Sequence, residues 1–210
     1  MNTLFSINYL GSVQYWAHLW AASHPILDPN CFFERQSYRN RCHILASNGV
    51  LALSVPVVKP QKNRTTIKDA LLSYDTNWRS NHWKSIVSAY RNSPFFEYYA
   101  DDYEAVYRNQ YKFLWDFDMT LMEIVCSQLS IPNRWTIVAD YQTATIGDLD
   151  LREALHPKRA WQDDASFSPA PYYQVFGEKF GFTPNLSVID LIFNKGPESA
   201  LHLQNCIGRR

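Results

Sequence analysis

Arg39-Asn40-Arg41-Cys42-His43 is the densest run of chemistry-bearing side chains in this sequence. Read as a strand, its alternation puts Arg39, Arg41 and His43 on one face. Planar guanidinium forks suit phosphate or carboxylate, and an imidazole beside them titrates near neutrality and can act as acid or base. The competing reading is a solvated sheet face whose arginines pair with acids elsewhere. Asn40 points to the opposite, apolar side, where a buried amide needs partners. Arg39, Asn40 and Arg41 are therefore candidates for binding an anionic or sugar ligand, and His43 is a candidate catalytic group.

Two further constellations carry chemistry. In Asn8-Tyr9-Leu10-Gly11-Ser12-Val13-Gln14-Tyr15 a strand ends, a glycine turns the chain and a helix begins. Such helix starts bind anions, and open α/β sheets hold ligands at strand ends, which makes Tyr9 and Gln14 candidates. An ordinary strand-to-helix turn reads the same way, since one glycine is no phosphate loop. In Trp78-x-x-x-His82-Trp83 a histidine is flanked by indoles on a helix face. It is either a satisfied core histidine or, with Trp78 against substrate, a second catalytic candidate. His18 and His24 belong to the first helix and its exit, and His156 and His202 to a loop and the tail. The sequence has no HExxH, no GxSxG elbow and no CxxC pair among Cys31, Cys42, Cys126 and Cys206, so neither metal nor cofactor is expected.

The elements that must position these residues follow from periodicity. Residues 3–9 read as a strand and Ser12 caps a helix from Val13 to about Ser23. Pro25 and Pro29 mark a turn, and residues 31–33 a short strand. Asn48-Gly49 suits a type I′ turn. Pairing outward from it sets Ile44 against Leu53, Cys42 against Val55 and Arg41 against Pro56, with Cys42, Ile44, Ala46, Leu51, Leu53, Val55 and Val57 on the apolar face. Lys59–Arg64, with Pro60, is a polar loop, and residues 65–73 are a strand or a short helix. Three helices follow, from Asn77, Phe95 and Leu114, with a strand near residues 135–139. A long loop spans 140–171. Residues 172–180 are helix-like, and a last helix ends near Phe193. The expected fold is α/β: a mixed sheet with a β-hairpin at about 40–57 and helices packed on it, all in one domain over residues 1–210.

Composition limits the partners. The chain has 210 residues, 46% hydrophobic and 15% aromatic, and 20 basic against 20 acidic side chains give no net charge. Neutrality offers no general attraction for nucleic acid or anionic lipid, so any anion site is local. No apolar run is long enough to span a membrane and no signal peptide opens the chain, which points to a cytoplasmic protein with reduced thiols.

Several segments together resemble the WbqC-like family of bacterial proteins. They are Tyr9-Leu10-Gly11 with Gln14-Tyr15-Trp16, residues 38–44, residues 53–57, Trp78 with His82-Trp83, residues 88–96, and the tail over 173–176 and 181–194. Family members open with Gln-Pro-x-Tyr-x-Pro before the glycine; here that stretch is Ser6-Ile7-Asn8-Tyr9-Leu10. The resemblance implies a protein linked to surface polysaccharide (O-antigen) assembly, transferring an acyl or aminoacyl group such as glycine onto a sugar. The competing expectation, from the lack of any recognised nucleophile or metal motif, is a non-catalytic ligand-binding or assembly protein. The discriminating geometry is whether Tyr9, Gln14, Arg39, Arg41 and His43 line one pocket.

Overall fold

The computed structural model describes residues 1–59, 65–132 and 134–208; the polar stretch around Pro60 lies outside them. β1 (Asn2–Phe5) leads through a turn to α1 (Val13–Ala21), and β2 (His24–Leu27) returns parallel to β1. The Ser12 hydroxyl caps α1 by accepting from the Tyr15 amide at 3.3 Å, as its residue type predicts. β3 (Arg41–Ala46) and β4 (Gly49–Ser54) form the antiparallel hairpin. Three helices follow, α2 (Trp78–Tyr90), α3 (Phe96–Arg108) and α4 (Leu114–Gln128). The two-residue strand β5 (Thr136–Ile137) lies in the stretch expected as a strand near 135–139, β6 (Leu149–Asp150) interrupts the long loop, and α5 (Gly177–Phe180), α6 (Val188–Lys195) and α7 (Ser199–Asn205) complete the chain.

The fold is mixed α/β, with its two kinds of strand pairing in separate sheets. One sheet has the order β5-β2-β1-β6, every pair parallel; the other is the hairpin. The hairpin cannot join β1, whose two edges are taken by β2 and β6. The strand expected over 3–9 ends at Phe5, where those partners end; the Tyr9 amide instead donates to the Tyr38 carbonyl at 2.9 Å. No strand covers 31–33, where Phe32 makes a single bridge to Thr66, and residues 67–69 form one turn of 3-10 helix.

The hairpin closes at Ala46 and Gly49, so Ser47 and Asn48 are its central residues. Of residues 47–49 only Gly49 has positive φ, at 108°, which fits a loop ending in a glycine bulge rather than the I′ turn expected. Arg41 consequently faces Ser54, not Pro56, and Cys42 faces Leu53. A shift of two residues keeps the same residues together on each face, and Cys42, Ile44, Leu53 and Val55 are buried as expected, but Leu51 on that face is 38% exposed and Leu45 on the other is buried.

The centre of the molecule is α6, whose residues from Val188 to Asn194 are all buried, with α1, α3, α4 and α7 against it. A helix that is apolar on nearly every side belongs inside. Its Phe193 ring meets Tyr90, Phe96 and Tyr103 at centroid distances of 5.1 to 5.5 Å. Its two polar residues are bonded within: Asp190 accepts from the Tyr172 hydroxyl at 2.7 Å and from Gln174 Nε2 at 2.9 Å, and Asn194 Nδ2 donates to the Asp190 carbonyl at 2.7 Å. All four cysteines are buried and free. No helix among the described residues is long and apolar enough to cross a membrane.

Candidate functional site

The candidate residues from the sequence fall into four separate places. Tyr9, Trp78 and His82 meet in the aromatic core. The Tyr9 hydroxyl lies 2.9 Å from His82 Nδ1 and 2.5 Å from the Tyr107 hydroxyl, and its ring stacks on Phe117. Trp78 Nε1 donates to the Ser73 carbonyl at 2.9 Å. Burial lowers the His82 pKa to about 4, against the pull of a hydrogen bond to the Ser54 backbone. His82 is therefore neutral and satisfied on both sides, and this group is closed to solvent.

Arg39 is drawn away from the hairpin face. β3 begins only at Arg41, and residues 38–40 form a turn that sends Arg39 toward the carboxyl ends of the parallel strands. There its guanidinium pairs with Glu153, lies 3.9 Å from Glu34 and donates to the Arg152 carbonyl at 3.1 Å. Arg152 is equally engaged. It holds Asp150 through Nε and Nη2, at 2.9 and 2.6 Å, and through Nη1 it holds Asp28 and the Gln142 carbonyl, both at 2.7 Å. The Tyr141 ring covers its guanidinium at 4.6 Å. The strand ends where open α/β sheets bind ligands are thus occupied by the protein's own ion pairs. Asn40 serves the backbone: its Nδ2 donates to the Val55 carbonyl at 2.8 Å.

Arg41 and His43 do share the outer face of β3, beside Ser54 and Ala52. The first amides of α1 already have acceptors within the protein. The amides of Val13, Gln14 and Tyr15 donate to the Leu186 carbonyl, Asn185 Oδ1 and Ser12 Oγ, and that of Val188 to the Gly11 carbonyl. Gly11 is required by packing, since a Cβ there would lie 2.7 Å from Tyr15 Cδ1.

Gln14 leads to the fourth place, which sequence reasoning missed. Its Nε2 donates at 2.8 Å to Asp164 Oδ2, and the same oxygen lies 2.6 Å from His18 Nε2. The other oxygen of Asp164 accepts from the amide and hydroxyl of Ser166, at 3.0 and 2.6 Å. Burial alone would raise this carboxyl's pKa, but the hydrogen bonds from Ser166, His18 and Gln14 hold it well below the usual carboxylate range. Asn185 locks Gln14 in turn, accepting from its amide and donating to its Oε1. His18 and Ser166 line a cavity of about 570 Å³ with Thr3, Trp20, Leu149 and Ile207, at the amino ends of β1 and β6. His18 Nδ1 bonds to no described residue. An Asp-held imidazole in a residue that lines a cavity is the layout of a general base. The only local signal was the i, i+4 spacing of Gln14 and His18, which puts both on one face of α1.

The sequence profile of the WbqC-like protein family matches residues 8–160. This chain belongs to the WbqC-like protein family. Within it, the chain is 26% identical over 199 residues to the uncharacterized protein Rv1507c of Mycobacterium tuberculosis, covering 83% of this chain and 84% of that relative. No solved structure matches it. The WbqC-like match takes in Tyr9, Gln14, His18, Arg39 and Arg41 but ends before Asp164, so the carboxylate that orients His18 comes from outside the matched residues. Among the described residues, no group of three or more His, Cys, Asp or Glu side chains is placed to hold a metal ion.

Proposed function

We propose that this WbqC-like protein is a cytoplasmic transferase of surface polysaccharide assembly, moving an acyl or aminoacyl group, glycine among them, onto a sugar. The observation that supports the reading is the His18–Asp164 pair, at 2.6 Å, on the wall of the cavity. Asp164 holds the proton on Nε2 and leaves the Nδ1 lone pair for a substrate. His18 takes the proton from a sugar hydroxyl or amine as its heteroatom attacks the carbonyl of an activated ester or thioester. It returns that proton to the departing alcohol or thiol. This role replaces His43 and His82 as the leading choice of base, because His82 is enclosed and, among the described residues, no carboxylate is bonded to His43.

The test is mass spectrometry of sugars incubated with the purified protein and a glycyl thioester. A glycylated sugar is expected, with its formation about 100-fold or more slower in His18→Gln. Turnover unchanged in that variant would remove His18 from the chemistry. Saturable sugar binding with no product would make the chain a ligand-binding protein instead.

A further inference from the structure

Arg41 is a partly buried cation that no carboxylate among the described residues answers. Its Nε donates to Ser54 Oγ at 2.9 Å, and among the described residues it enters no ion pair. That single bond orients the guanidinium and leaves four N–H donors on its two terminal nitrogens without an acceptor among the described residues. His43 lies two residues along the same face, about 7 Å away at the strand rise. Its ring meets Tyr38 edge-on at 5.9 Å, and its carbonyl accepts from the Ser187 amide at 2.8 Å, so the strand beneath it is pinned to the start of α6. Burial, and then the charge of Arg41, lowers the His43 pKa. The cross-strand neighbours of the two residues are Ser54 and Ala52, both small, so nothing bulky stands beside them on β4.

A half-desolvated, oriented fork without a counter-ion is costly unless something occupies it. The chain as a whole is neutral, so the attraction is confined to this spot. We propose that Arg41 and His43 form a binding site for an oxyanion of phosphate size on the outer face of the hairpin. The two terminal guanidinium nitrogens grip two oxygens in one plane, and the His43 imidazole donates to a third. A phosphate monoester and a carboxylate share this chemistry; the tetrahedral ion alone reaches all three donors at once. The site does not depend on the role given to His18.

The experiment is an NMR titration of the side-chain signals of Arg41 Nε–H and the His43 ring, with inorganic phosphate in one arm and acetate in the other, at constant ionic strength. Saturable shifts of both residues are expected, with phosphate bound more tightly than acetate. Arg41→Lys should weaken phosphate about tenfold or more, since a point charge cannot replace the planar fork. Ser54→Ala should weaken it severalfold by releasing Nε. Both should melt within about 2 °C of wild type, as expected for residues off the core face. His18→Gln should bind phosphate as wild type does. Shifts that grow linearly without saturation, acetate bound as tightly as phosphate, or unaltered affinity in Arg41→Lys would overturn the proposal. The wild-type titration decides even if a variant does not fold.

Discussion

Asp164 stands 146 positions beyond His18 in the chain and 2.6 Å from it in space. One carboxylate oxygen serves both His18 and Gln14, a helical turn apart on α1, so the loop after β6 is tied to the first helix at this point.

Asp164→Asn should therefore cost stability as well as activity. A carboxylate with several donors contributes about 1.5–3 kcal/mol through each charged hydrogen bond at most. Its pKa is depressed in the folded state, so its contribution is present above the unfolded pKa and lost as pH falls through the folded value. Urea unfolding should show the variant less stable than wild type at pH 7, by about 1–2 kcal/mol, with the gap narrowing as pH falls below about 4.

Asp190 behaves in the opposite sense. Burial raises its pKa to about 6, although Tyr172 and Gln174 hydrogen-bond the charged form. The folded state then holds a proton that the unfolded chain has released, so this contribution is full below about pH 4 and lost as pH rises through 6. The difference amounts to about 3 kcal/mol at neutral pH. Asp190→Asn should flatten the pH dependence of unfolding between pH 4 and 7. An equally steep variant would show that another group sets it.

The core hydroxyl of Tyr9 bridges two polar groups. Tyr9→Phe leaves both His82 Nδ1 and the Tyr107 hydroxyl without their shared partner, which costs about 1–3 kcal/mol. In wild type the His82 ring signals should titrate near pH 4 rather than near 6.5, as the neutral buried form requires. Equilibrium unfolding and NMR read these two outcomes separately.

Arg152 neutralises a fully buried Asp28. Arg152→Ala strands that carboxylate and should cost about 3–5 kcal/mol, far more than loss of an exposed pair. Adding Asp28→Asn should recover part of the loss, measurable as a coupling in a double-mutant cycle.

The sequence made the helices and the hairpin faces legible because their periodicity is local. Cys42, Ile44 and Leu53 point inward whichever of two turn geometries joins the strands, but Leu51 on the same face lies near the hairpin tip and is exposed, and Leu45 on the other face is buried. β2 escaped notice because Pro25 stands in it opposite Thr3, and a proline argues against an inner strand. β6 has two residues, too few for any alternation. Arg39 was placed on the hairpin because strand alternation was extended past Arg41; its actual neighbours, Glu153 and the Arg152 carbonyl, lie over a hundred residues away. The His18–Asp164 pair had no local pattern for the same reason. Folding brings together what spacing does not.

The placement of β1 sets an order on biosynthesis. Its partner on one side follows at residues 24–27, but its partner on the other is not made until residues 149–150. At ~5–20 residues per second, roughly ten seconds separate the two during translation. Through that interval the central strand can be paired along one side only, and its other edge is a template for any extended segment nearby. Arrest of synthesis before Leu149 would release a chain with that edge bare, so nascent-chain aggregation should fall sharply once β6 and Arg152 have cleared the ribosome.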